Sequence, residues 1–135
     1  MPLSDYIDEQ LLARLFTGQA SFPLPDSLYV ALFTVSPTKA GGGTEVAGFG
    51  YARVEVPATI AFWNVSGPTY FAQNVQLIDF GQASGGAWGT IVAGGLFDAP
   101  TGGNLIAFAS VIQSKVVADG DPVVINIGAL QLSGA

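Results

Sequence analysis

The sequence predicts a mainly β fold, an antiparallel β-sandwich or flattened barrel, with one N-terminal α-helix. Three observations carry that expectation. From residue 27 onward, short runs of β-branched, aromatic and aliphatic residues alternate with Gly- and Pro-bearing turns at hairpin spacing. Helical spacing of apolar residues is confined to one stretch near the N-terminus. At 135 residues without cysteine, the chain is long enough to bury a core without disulfides or metals, and it reads as one domain over residues 1–135.

The helix is expected over about residues 4–17, and the β domain over about 27–133. Ser4 suits the N-cap, and Asp5, Asp8 and Glu9 place carboxylates where the helix dipole favours negative charge. Ile7, Leu11, Leu12, Leu15 and Phe16 form one apolar stripe, and Gly18 offers a C-terminal stop. Such a stripe either plugs the open end of a sheet or docks on a neighbouring subunit. In the second case Leu11 and Leu15 are candidate partner contacts.

Pro23 and Pro25 exclude helix from the linker Gln19 to Asp26. Leu28 to Val35 is apolar on both alternating faces and reads as a central strand packed on two sides. Tyr51 to Val56 alternates, with Ala52, Val54 and Val56 expected inward and Tyr51, Arg53 and Glu55 outward. Further strands are expected at Thr59 to Trp63, Thr69 to Ala72, Val75 to Phe80, Trp88 to Phe97, Leu105 to Gln113 and Val123 to Ile127. Leu130 to Leu132 could finish the last of these. Gly94-Gly95 marks a bulge, a break or a close backbone approach.

Two long loops join these strands. Ser36 to Gly50 carries Gly41-Gly42-Gly43 and Gly48-Phe49-Gly50, a permissive backbone in which Phe49 and neighbouring Tyr51 are candidate partner contacts. The competing reading folds these aromatics back onto the core. In Asp98 to Asn104 the residue types fit turn chemistry: an Asp acceptor, a φ-fixing Pro100 and glycines for positive φ. Asp119-Gly120-Asp121 reads as a tight turn before Pro122, since a calcium loop needs about six to eight oxygen ligands and no further acid follows at suitable spacing. Asp79 is expected to face outward on its strand.

Composition narrows function by exclusion. With 10 acids against 4 bases the net charge is −6, and the bases are scattered, so no nucleic-acid partner is expected. No apolar run approaches bilayer length, and the acidic N-terminus does not suit a signal peptide, so no membrane partner or secretion is expected either. Without histidine or cysteine, Ser-His-Asp, Cys-His and His-ligated metal chemistry are all removed. No catalytic residue, cofactor or metal site is assigned. Asp79 and Asp98 flank the Trp88 strand, and Trp63 or Trp88 could stack on a sugar, but no spacing selects a hydrolytic pair; Trp88 is expected in the core. Half of the residues are hydrophobic and 10% are charged, so some apolar surface is expected to be hidden against neighbours.

Several anchors occur in one order: Leu3-Ser4-Asp5-Tyr6, Leu28 to Thr34, Gly43-Thr44-Glu45-Val46, Gly50-Tyr51-Ala52-Arg53, Trp88-Gly89-Thr90-Ile91, Phe97-Asp98-Ala99 and Thr101 to Leu105. In these the chain resembles a family of small tailed-bacteriophage virion proteins usually labelled phage tail-fibre proteins, with the match weakest over Pro57 to Gln73. The resemblance implies a non-enzymatic structural protein on the outside of a virion, assembled in the host cytoplasm. No coiled-coil, collagen or stacked β repeat is available to build a shaft. The expectation is therefore a compact module: a capsid decoration (cement) protein bound to the major capsid protein lattice, or alternatively a tail-fibre or baseplate component serving host attachment or glycan binding. Either would be a homo-oligomer, trimer or dimer, contacting other virion subunits.

Overall fold

The structure, a computed structural model, describes residues 4–18, 26–58, 63–66 and 71–133. Among the described residues it is mainly β, with antiparallel sheets that do not close into a barrel and a single N-terminal helix. The helix, α1, spans Asp5–Thr17. Ser4 caps it from an extended conformation, its Oγ accepting from Ile7 N at 3.3 Å, and Gly18 ends it in the left-handed region at φ 68°.

The largest sheet is built on β1 (Ser27–Val35). One side of β1 pairs with β7 (Gly89–Phe97), which in turn pairs with β8 (Leu105–Val117). Its other side is shared by β3 (Val54–Pro57) along the first half and the short β2 (Thr44–Glu45) along the second. A second sheet has the order β10 (Gln131–Ser133), β5 (Phe71–Asn74), β4 (Trp63–Ser66), and a ribbon pairs β6 (Ile78–Gln82) with β9 (Pro122–Ile125). The main core lies between the large sheet and these smaller ones, joining Val30, Leu32, Leu96 and Val117 to Ile78, Phe80, Val123 and Leu130. That is a sandwich arrangement, with side chains from facing sheets filling one apolar layer.

Because successive strand residues face opposite ways, Ala31 and Phe33 point to the other face, where they pack with Ala93 and Phe97. Burial of all four residues from Val30 to Phe33 is the central strand the sequence predicts. Register runs unbroken through Gly94 and Gly95, and irregularities fall on either side, between Ile91 and Ala93 and between Leu96 and Phe97. A Cβ on Gly95 would sit 2.9 Å from the Phe33 ring, so that glycine serves close approach and not a break.

Several expected boundaries move. The strand at 51–56 begins only at Val54: Gly48, Phe49 and Gly50 all adopt positive φ and swing Tyr51 inward, while Ala52 is exposed. The alternation expected ahead of Val54, with Tyr51 and Arg53 outward, is therefore reversed. Gln131–Ser133 is a strand of its own, paired with β5 and not continuing β9. Residues 59–62 and 69–70 of two expected strands, and linker residues 19–25, lie outside the described residues.

Candidate partner-binding surfaces

The first turn of α1 is fastened to the β body. Ser4 N donates to Ile106 O at 2.8 Å, and Ser4 Oγ donates to Leu105 O, so the cap residue also satisfies carbonyls of β8. A hairpin closed by the Thr38 and Gly41 backbones reaches the same turn. There Asp5 N donates to Lys39 O at 2.8 Å, and Lys39 Nζ pairs with Asp8 at 2.9 Å. The hydrogen bond to Asp8 holds the Lys39 ammonium above its ordinary pKa. A cleft of about 290 Å³ lies here, lined by the start of α1, this hairpin, Phe97 and Asn104.

Of the apolar stripe, only Ile7 is buried, at 6% exposure; Leu11 is 39% exposed, Leu12 56%, Leu15 75% and Phe16 80%. Burial therefore decays along the helix, and its last two turns present uncovered hydrocarbon. Leu11 and Leu15 both belong to this uncovered face. Arg14 stands beside them and makes no hydrogen bond or ion pair among the described residues.

A second uncovered apolar surface is formed by the outer face of the β6–β9 ribbon. Ile78, Phe80 and Val123 point into the core, which turns Asp79 and its cross-strand partner Val124 outward. Leu77 (51% exposed) and Ile127 (65%) stand at one end of the ribbon. Buried Asn74 fastens that end: its Nδ2 donates to Gln76 O and Asn126 O, and its Oδ1 accepts from Leu130 N. Asp79 accepts from Gly81 N at 2.8 Å, which leaves most of its carboxylate facing water.

The two aromatic candidates in the Ser36 to Gly50 region separate. Tyr51 packs against Phe80 and edge-on against Trp88, and its hydroxyl accepts from Leu32 N and donates to Glu45. This ring is committed to the core. Burial, with Glu45 beside it, pushes its hydroxyl well above the usual phenol range. Phe49 stays 49% exposed, with its ring over Gly86. Its left-handed φ of 54° is uncommon for an aromatic, and is held by two donors on its carbonyl, Ser84 N and the Trp88 indole N–H.

Beside Tyr51, Arg53 forms a two-pronged pair with Glu45, donates to Ala99 O and Gly102 O, and lies 3.7 Å over the Phe97 ring. Burial works to raise the Glu45 carboxyl, but the bonds from Arg53 and Tyr51 outweigh it and leave the group below its ordinary pKa. Opposite charges eight residues apart were the available sequence signal for this pair; nothing local pointed to Asn74.

Both acidic loops are turns. Asp98 accepts from Asn104 N at 2.7 Å and Asn104 Nδ2 at 3.0 Å, while Gly102 and Gly103 take positive φ. Asp119 accepts from Gly85 N and Asp121 from Ala118 N, so each carboxylate is spent on backbone. Trp88, 5% exposed, is in the core. Among the described residues, no cluster of three or more acidic side chains is placed to hold a metal ion, and no helix is long and apolar enough to cross a membrane.

No curated protein matches the chain. A family model described as Podophage GP4 fiber I protein gp80 matches residues 2–133. The chain belongs to that family, and is thus a bacteriophage virion structural protein.

Proposed function

We propose that the chain is a non-enzymatic structural module of a phage tail fibre or its base, attached to neighbouring virion subunits through the uncovered face of α1. The observation that carries this is the helix: its first turn is fastened to the body, and Leu15 and Phe16 stand 75% and 80% exposed at its far end. Leaving such side chains in water forgoes roughly 1.5–3 kcal/mol each, a cost that covering by a partner removes. Virion membership and the fibre description of the family support placement on the tail.

Capsid decoration, bound to the major capsid protein lattice, is the second reading. It is favoured by a sequence without any shaft-building repeat, which suits a compact module tiling a surface. Copy number separates the two. Quantitative mass spectrometry of purified particles against the major capsid protein is expected to find a few to a few dozen copies. Hundreds of copies, in simple ratio to the shell protein, would overturn the tail placement in favour of the head. Polar substitution of Leu15 and Phe16 is expected to deplete the chain from particles while the purified variant stays folded; normal incorporation would overturn the attachment role of α1.

A further inference from the structure

The geometry points to a specific neighbour for α1: the outer face of the β6–β9 ribbon on a second copy of the same chain, in a head-to-tail contact. This deepens the reading above and rests on α1 being an assembly surface. Three observations lead to it.

The first is position. The start of α1 lines a cleft with Phe97, on the face of the large sheet that carries Ala31 and Phe33. The ribbon packs on the opposite face, against Val30 and Leu32. One molecule therefore carries two uncovered apolar surfaces on elements held to opposite sides of one sheet. Two different patches so placed suit a heterologous contact, which repeats around a ring or along a stack, better than a self-complementary two-fold contact.

The second is charge. The chain is strongly acidic, at −6, so copies repel unless opposite charges meet at the contact. Of the four bases, Lys39 pairs with Asp8, Arg53 with Glu45, and Lys115 donates to Pro122 O. Arg14 alone is uncommitted among the described residues, and it lies next to Leu11 and Leu15. The ribbon presents the matching group: Asp79, exposed, directly across from Val124 and two residues from Leu77. Hydrocarbon flanking one charge on each surface, with opposite sign, is the pattern of a complementary pair.

The third is size. A helix of 13 residues is about 20 Å long and about 10 Å wide, and a ribbon of four- and five-residue strands is about 13–17 Å long. One such contact covers less than the roughly 800 Å² per partner of a standard stable interface. Each contact is therefore weak, and repetition in a closed ring or a particle makes it effective.

Sedimentation of the purified full chain, raised in steps to about 1 mM, the weak end of measurable affinity, tests this directly. Wild type is expected to self-associate reversibly. R14D and D79R are each expected to remain monomeric, because each sets like charges against one another. An equimolar mixture of R14D with D79R is expected to associate again, since every helix-to-ribbon contact in an alternating array then joins Asp to Arg. A mixture no more associated than its components would overturn the proposal. So would a monomeric wild type, or a D79R that associates normally while R14D does not, the result for a helix-to-helix dimer. If R14D is depleted from particles and D79R is not, attachment through α1 stands while the second copy is excluded as its partner.

Discussion

Arg53→Met is the most informative single change, because the side chain sits where three segments meet. Met keeps an unbranched apolar stem and removes the guanidinium, together with its contact on the Phe97 ring. The lost pair is intermediate in burial, with side chains 7% (Arg53) and 25% (Glu45) exposed. Exposed pairs contribute about 0–1 kcal/mol, and breaking a buried one costs about 3–5 kcal/mol by stranding its partner. Ala99 O and Gly102 O lie on a surface loop and can take water instead. The expected loss is thus about 2 kcal/mol, or a fall in Tm of about 8 °C for a chain of this size. The double variant E45Q/R53M, which strands no charge, should recover about half of that. The pH dependence has a definite sign. In wild type the Glu45 carboxyl is held below its unfolded value, so its contribution is present above the unfolded pKa and is lost as pH falls through the folded one. Without Arg53, burial dominates and raises the folded pKa, so the variant's deficit is full at neutral pH and disappears once Glu45 is protonated. Urea unfolding should show a gap of about 2 kcal/mol at pH 7 that narrows as pH falls through the carboxylate range, first through the variant's raised pKa and then through the lowered one of wild type. A gap constant across that range, or a double variant as unstable as the single one, would refute the account.

Asn74→Ala should cost about 3 kcal/mol by urea midpoint, because it removes a fully buried side chain bonded to three backbone groups that hold the ribbon end. Gly103→Ala should destabilise clearly more than Gly102→Ala in thermal unfolding. Both have positive φ, at about 1 kcal/mol, but only at Gly103 does a new Cβ fall 2.5 Å from Asp98 Oδ1, breaking the Asp98–Asn104 clasp. Along α1, Ile7→Ala should cost about 2–4 kcal/mol, whereas Phe16→Ser should stay within about 0.5 kcal/mol. Equal effects at the two positions would mean that the far end of the helix is covered within the chain.

Much of the fold was legible because burial on two sides and turn chemistry leave local marks. The run from Val30 to Phe33 has no polar residue, and it lies on a strand with partners on both edges and side chains buried on both faces. The Asp98 to Asn104 turn was readable from its residue types alone. What failed did so for identifiable reasons. Alternation places Tyr51 outward only if the chain is already extended there, and three consecutive positive-φ residues from Gly48 to Gly50 rotate it inward. The partners of Leu130 to Leu132 depend on pairing with Phe71–Asn74, nearly sixty residues away, for which no local rule exists.

The candidate surface was half legible for a deeper reason. Periodicity states that Ile7, Leu11, Leu12, Leu15 and Phe16 share a face, but it contains no information on what covers that face. The covering is decided by where the helix is tied. Its ties include Ser4 to the carbonyls of Leu105 and Ile106, and Lys39 to Asp5 and Asp8, contacts that span from about 30 to more than 100 residues of sequence. These gather at the first turn. A helix tied along its length would have hidden its stripe and been only a plug. One tied at its start carries the same stripe outward, and the same five side chains then divide between core and contact according to distance from the tie. The ribbon obeys the same logic: Asn74 fixes its end, the inward residues fill the core, and alternation leaves Leu77, Asp79 and Val124 on the outside. In both places anchoring by a polar residue determines which hydrocarbon is available to a partner.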